Sequence, residues 1–132
     1  MNKKRAILLV LIIILVFIIS INFFIPKKIM KVDEEIDKIT IFNGNTGKLT
    51  TIIDKKEINS IAKEFNDVAF LKKGFALGRI GYSLNINYYD KSGKNTKKII
   101  VNSEDTIRYR GFFYEPQNSN INFEYLNNLS SE

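Results

Sequence analysis

Hydrophobic positions in this chain follow two different rules. From Ala6 to Ile25 they form one unbroken run, AILLVLIIILVFIISINFFI, without a charged residue. After Pro26 they turn periodic, alternating with polar residues at strand spacing or recurring at the i, i+3, i+4 spacing of a helix face. The first rule predicts a transmembrane helix over residues 6–25. Twenty residues of helix rise about 30 Å, the hydrocarbon thickness of a bilayer. Leu, Ile, Val and Phe each favour insertion by about 0.3–0.6 kcal/mol, so the run gains on the order of 5 kcal/mol even with its ends discounted. Its β-branched content is no obstacle, because in lipid a single segment satisfies its backbone only as a helix. Ser20 and Asn22 fall near one edge, and Pro26 marks the stop.

A secreted domain released by signal cleavage is the alternative. A signal's apolar core spans about 7–15 residues and ends at a small-residue site, whereas this run is longer and Ser20 and Asn22 make a poor cleavage pair. Lipid attachment through a processed N-terminal Cys is excluded, since the chain has no cysteine. Lys27, Lys28 and Lys31 after the run blunt the charge asymmetry set by Lys3, Lys4 and Arg5. Orientation then rests on translocation: a short basic tail crosses poorly, while a long C-terminal domain crosses largely regardless of charge. We expect a single-pass protein of the cell membrane. Residues 1–5 form a cytoplasmic tail, 26–35 a charged, solvated linker, and 36–132 an extracytoplasmic domain.

The periodic part reads as α+β. Ile39 and Ile41 alternate, Asn43 to Gly47 break the run, and Leu49, Thr51 and Ile53 resume it, a hairpin with Asn-Gly turn chemistry. The turn does not make a phosphate loop, because the glycine-to-lysine spacing is too short and a strand follows. Asp54 with Glu57 forms an acidic capping box for a helix whose Ile58, Ile61, Ala62 and Phe65 share one face, and Asn66 and Asp67 end it. Val68 to Leu71 reads as a short strand. Tyr82 to Tyr89 alternates cleanly, Asp90 to Lys94 turns it, and Lys97 to Val101 returns. After the turn at Ser103 to Asp105, Ile107 and Tyr109 point one way and Arg108 and Arg110 the other. Phe112 to Tyr114 follow, and Pro116 closes the sheet. A last helix, capped by Asn118 or Ser119, turns Ile121, Tyr125, Leu126 and Leu129 inward. Strands joined by short turns pair antiparallel, so the expected fold is a small antiparallel sheet with two helices packed on one face.

Composition narrows the chemistry. Of 132 residues, the first 25 leave 107, enough for one domain. The net charge is +6, and Lys3, Lys4 and Arg5 account for three of the 20 basic side chains, leaving 17 against 14 acidic, an excess of +3 too small to imply nucleic acid. Lys27, Lys28 and Lys31 read as a juxtamembrane collar for anionic headgroups. Absence of both His and Cys removes imidazole bases, thiol catalysis, Ser-His-Asp triads and zinc sites. Asp33, Glu34 and Glu35 lack the glycine turn and oxygen spacing of a calcium loop. No metal, catalytic residue or small-molecule cofactor is expected.

Two stretches carry candidate contacts. In Lys72 to Gly81, three glycines and mixed apolar and cationic groups imply either contact with a partner protein or the bilayer, or Phe75, Leu77 and Ile80 folding back over the core. Around Arg108 to Tyr114, arginines beside aromatics suit an anionic ligand, or simply a strand with one wet face. The candidate interaction surface is therefore Lys72, Lys73, Phe75, Arg79, Arg108, Arg110 and Tyr114.

The Lys-Lys-Arg start, the Ile-rich span, the Ile/Lys/Asn-heavy composition and the strand–Asp-Lys-Ser-Gly-Lys–strand unit at Tyr82 to Val101 give a layout that resembles the small single-span or lipid-anchored envelope proteins of low-GC Gram-positive bacteria. That resemblance implies an envelope location and carries over no catalytic residue. The expected role is a non-enzymatic, protein-interaction or binding module at the outer membrane face. An immunity or inhibitor protein acting on a toxin or envelope hydrolase is the alternative, and an enzyme using Asp54, Asp90 or Glu115 is the least supported, for want of a paired-carboxylate arrangement.

Overall fold

A computed structural model describes residues 2–31 and 33–131. Helix α1 (Lys3–Phe24) holds the apolar run and begins three residues earlier than the run itself, because Asn2 accepts a hydrogen bond from the Lys4 amide at the helix start. Three cations in the first turn oppose the helix dipole, a local cost of about 0.3–1 kcal/mol each. The two polar residues are satisfied inside the helix: Ser20 Oγ donates to the Val16 carbonyl and Asn22 Nδ2 to the Ile18 carbonyl. None of its residues is buried, and by length and composition it can cross a membrane.

Seven strands follow in one antiparallel sheet: β1 (Lys38–Asn43), β2 (Leu49–Ile52), β3 (Phe70–Phe75), β4 (Leu84–Tyr89), β5 (Asn95–Ser103), β6 (Thr106–Tyr109) and β7 (Phe112–Pro116). Helix α2 (Lys55–Asn66) separates β2 from β3, and α3 (Phe123–Leu129) ends the fold. The expected α+β class and antiparallel pairing both appear. The spatial order is β2-β1-β4-β5-β6-β7-β3. Thus β3 leaves its sequence neighbours and closes the far edge beside β7, and the segment 76–83 must cross three strands to reach β4.

One face is dry. Ile39, Ile41, Leu84, Ile86, Tyr88, Ile99, Val101 and Ile107 meet Ile58, Ile61 and Phe65 of α2 and Leu126 of α3 in a single cluster. Asp54 caps α2 as expected, accepting from the Glu57 amide. Glu57 does not complete the box; its carboxylate instead accepts the Tyr125 hydroxyl, tying α3 to α2. The cap of α3 is Asn122 rather than Asn118 or Ser119, which leaves Asn118 free to hold the Ala69 amide and the Asp67 carbonyl. In β2 the inward residue is Ile52, not the Leu49–Ile53 set, because the turn places Ile52 opposite buried Ile39 and leaves Ile53 outside. Asn43 is fully buried, donating to Asn127 and Ser130 at the C-terminal end and accepting from the turn amides of Asn45 and Thr46.

Part of the expected 26–35 linker packs onto the domain, while Pro26, Lys28, Lys31, Asp33 and Glu35 are exposed. Lys27 pairs with Phe70 as a one-residue extension of the β3 edge, donating and accepting at 2.7 and 2.8 Å. Ile29 and Met30 then enter the core. Lys97 on β5 fastens this segment from beneath: its side chain is 7% exposed, and its ammonium donates to the Ile29 carbonyl and to the Glu34 carboxylate. Of the acidic triplet, Glu34 is thus taken by Lys97, and Glu35 lies 4.0 Å from Lys91.

Nearby, the Tyr88 hydroxyl is buried without a protein partner, and burial, then the Glu34 charge, push its pKa well up. Tyr88→Phe keeps the ring and removes the orphaned hydroxyl, so it should stabilise the domain by about 1 kcal/mol. Chemical denaturation of the purified full chain measures this, and a clear loss of stability would contradict it. Burial and the bond to Glu57 likewise raise the Tyr125 pKa. With folded values above the ordinary value of about 10, the unfolded chain releases these protons first, so the tyrosine contribution is intact below pH 10 and lost as pH rises beyond it. The denaturation midpoint should fall between pH 9 and 11, and less so in Tyr125→Phe; an equal fall in both chains would contradict the assignment.

Candidate functional site

The surface that gathers most of the candidate residues lies where α1 leaves the domain. Phe23, in the last turn of α1, stacks edge-on against Phe112 at 5.9 Å and Phe75 at 6.3 Å, and those two rings meet at 5.1 Å. Strand pairing brings Phe75 and Phe112 together, since they face each other at the ends of β3 and β7. The Lys72 ammonium sits over both rings, 4.0 Å from Phe112 and 5.0 Å from Phe23. Burial and then the Lys27 charge push the Lys72 pKa down. Lys27 in turn donates to Asn22 Oδ1, and Lys28 to the Asn66 carbonyl.

Beside this aromatic cluster opens a cleft of about 690 Å³. Lys27, Lys28, Lys31, Lys72 and Arg110 bring positive charge to its lining, with Glu34 and Glu35 on the opposite sign and Tyr109 among its aromatic walls. Arg110 lies at the β6–β7 turn, in the left-handed backbone region at φ 47° and followed by Gly111 at φ 82°, with its guanidinium 5.2 Å from the Tyr109 ring. That pair of positive φ values is the signature of a tight two-residue hairpin. The cleft has room and positive charge for an anionic group.

The crossing segment lies over the opposite, outer face of the sheet. It is exposed where the sequence left two readings open: Phe75 is 69%, Leu77 78% and Ile80 97% accessible, so these side chains do not fold back over the core. Only Ala76 is buried. Arg108 holds the segment down. Its guanidinium donates to the Arg79 carbonyl at 2.7 Å, to the Gly81 carbonyl and to Asn102 Oδ1 at 3.2 Å. At 8% exposure, Arg108 is a clamp and not an open contact, a correction to the alternating wet-face reading of β6. Tyr114 is also buried, pairing with Ile107 on the core side. Lys73 is exposed at a bulge in β3 and lies 3.4 Å from Glu115. Lys72 and Phe75 therefore lie at the helix exit with Phe23, Lys27 and Phe112, Leu77 lies by Gly111 next to exposed Arg110, and Arg79 and Ile80 are exposed farther along the crossing segment. Leu77 and Ile80 were legible as apolar loop residues; Phe23 was hidden inside the span.

The three carboxylates singled out in the sequence each have a partner. Asp54 caps α2, Glu115 faces Lys73, and Asp90 accepts from the Ser92 amide and hydroxyl and the Lys94 amide, with the Ser92 bond the chief cause of its lowered pKa. Among the described residues no group of three metal-ligating side chains occurs. Comparison with family models, with curated proteins and with solved structures finds no match to this chain.

Proposed function

We propose that the protein is a single-pass, non-enzymatic binding module of the cell membrane, with its N-terminus inside and its α+β domain held against the outer face. The observation that carries this reading is the join between α1 and the sheet. A helix long enough to span runs directly into aromatic contacts with Phe75 and Phe112, and the next residues pair with β3 and enter the core. A domain joined this closely to the span is held near the bilayer, which suits binding at the membrane surface better than reaching a distant partner. Its contact surface is the cationic and apolar region around the helix exit. The inventory of side chains supports a binding role, since neither His nor Cys is available and the named carboxylates serve caps, turns and ion pairs.

A protease-sensitive tag fused after residue 132 tests the arrangement. In intact cells the tag should be removed by external protease while an N-terminal tag survives. Protection of the C-terminal tag would overturn the proposed orientation.

A further inference from the structure

The apolar side chains beside the helix exit have no covering element, yet they adjoin a segment built for lipid. Phe75 contacts Phe23 of α1 directly. The Ala76 amide bonds to the Gly111 carbonyl, and Leu77 lies against Gly111, so the crossing segment stays beside the β6–β7 turn. Arg108 then fixes the backbone on both sides of Ile80, which leaves that side chain almost wholly accessible. Lys72 stands over the Phe23 and Phe112 rings that Phe75 meets, Arg110 precedes the Gly111 against which Leu77 lies, and Arg79 precedes Ile80. Apolar tips within a basic surround match the composition of segments that lie in the interface of an anionic bilayer.

We propose that Phe75, Leu77 and Ile80 form a second membrane contact, entering the boundary between headgroups and acyl chains of the same bilayer that α1 crosses, with the surrounding cations on anionic headgroups. This rests on the anchored reading above. Continuity with the span selects lipid over a protein partner: α1 cannot enter the bilayer without bringing the Phe23–Phe75–Phe112 cluster to its surface. The Arg108 clamp presents the loop in one conformation, so little ordering remains to oppose contact.

Because the chain has no cysteine, single labels are straightforward. The full chain carrying Leu77→Cys or Ile80→Cys, each with an environment-sensitive fluorophore, is reconstituted into phosphatidylcholine vesicles with and without phosphatidylglycerol. The lipids are brominated either near the headgroup or deep in the chain. Leu49→Cys, exposed on β2 at the other edge of the sheet, serves as the water control and Phe17→Cys as the span control. Shallow bromines should quench the Leu77 and Ile80 labels roughly twofold or more above the Leu49 label, and more strongly with phosphatidylglycerol present. Loop labels quenched no more than Leu49, with Phe17 quenched by deep bromines, would overturn the second contact while leaving the anchor intact, and would free the surface for a protein partner. An unquenched Phe17 label would overturn the anchor itself.

Discussion

Replacing Lys97 by Met should destabilise the folded domain by about 3 kcal/mol, the cost of removing one partner of a desolvated ion pair. The Lys97 side chain is almost fully enclosed and its ammonium joins the Glu34 carboxylate to the Ile29 carbonyl. Methionine restores the packing but leaves the Ile29 carbonyl unpaired and Glu34, three-quarters buried, without its cation. The segment carrying Ile29 and Met30 should then loosen, and it is this segment that joins α1 to the domain. For a domain of this size the melting temperature should fall by on the order of 15 °C. Thermal unfolding of the detergent-solubilised full chain measures the change. Glu34→Gln should cost less, and the double variant should fall short of the sum of the two, since both break one interaction. A Lys97→Met chain that melts within a degree or two of the parent would show that the connector is not held this way.

Arg108→Met should cost about 2 kcal/mol, in the range for hydrogen bonds from a charged donor, and its effect should be local. The substitution keeps an apolar stem between Ile100 and Phe113 on the neighbouring strands but frees the Arg79 and Gly81 carbonyls. Untied, the crossing segment gains freedom around Gly78 and Gly81, both at positive φ. Arg79 is exposed, so trypsin should nick the variant after that residue well before the parent, with the sheet still folded by circular dichroism. Equal nicking rates in the two chains would contradict the clamp. The same variant bears on membrane contact, because a loosened loop presents Phe75, Leu77 and Ile80 at a higher ordering cost.

Much of this arrangement is written locally in the chain. Asp54 capping α2, the Asn43–Gly47 turn and the alternation of Leu84, Ile86 and Tyr88 each depend on neighbours within a few residues, and each folds as the pattern implies. What the pattern could not reveal depends on partners far along the chain. Ile29 and Met30 are two apolar residues among lysines, and their burial follows only from the Lys97 and β3 contacts. Strand β3 extends through Lys72 to Phe75, where Gly74 beside a bulge gives the sequence the look of a loop. Its place beside β7 is set by an edge pairing that local turns do not encode. Arg108 reads as a solvent-facing residue by alternation, and only the crossing segment above it makes that position dry. Phe23 counted as one more apolar residue of a span until the ends of β3 and β7 gave it neighbours.

Everything proposed for the surface near the helix exit presupposes that residues 3–24 remain attached and lie in lipid. Extraction of isolated membranes with alkaline carbonate, followed by intact mass measurement of the protein in each fraction, tests this most directly. The whole chain should stay in the pellet with its first 25 residues in place. A shortened chain beginning near Pro26 and recovered in the soluble fraction or the culture fluid would contradict the account.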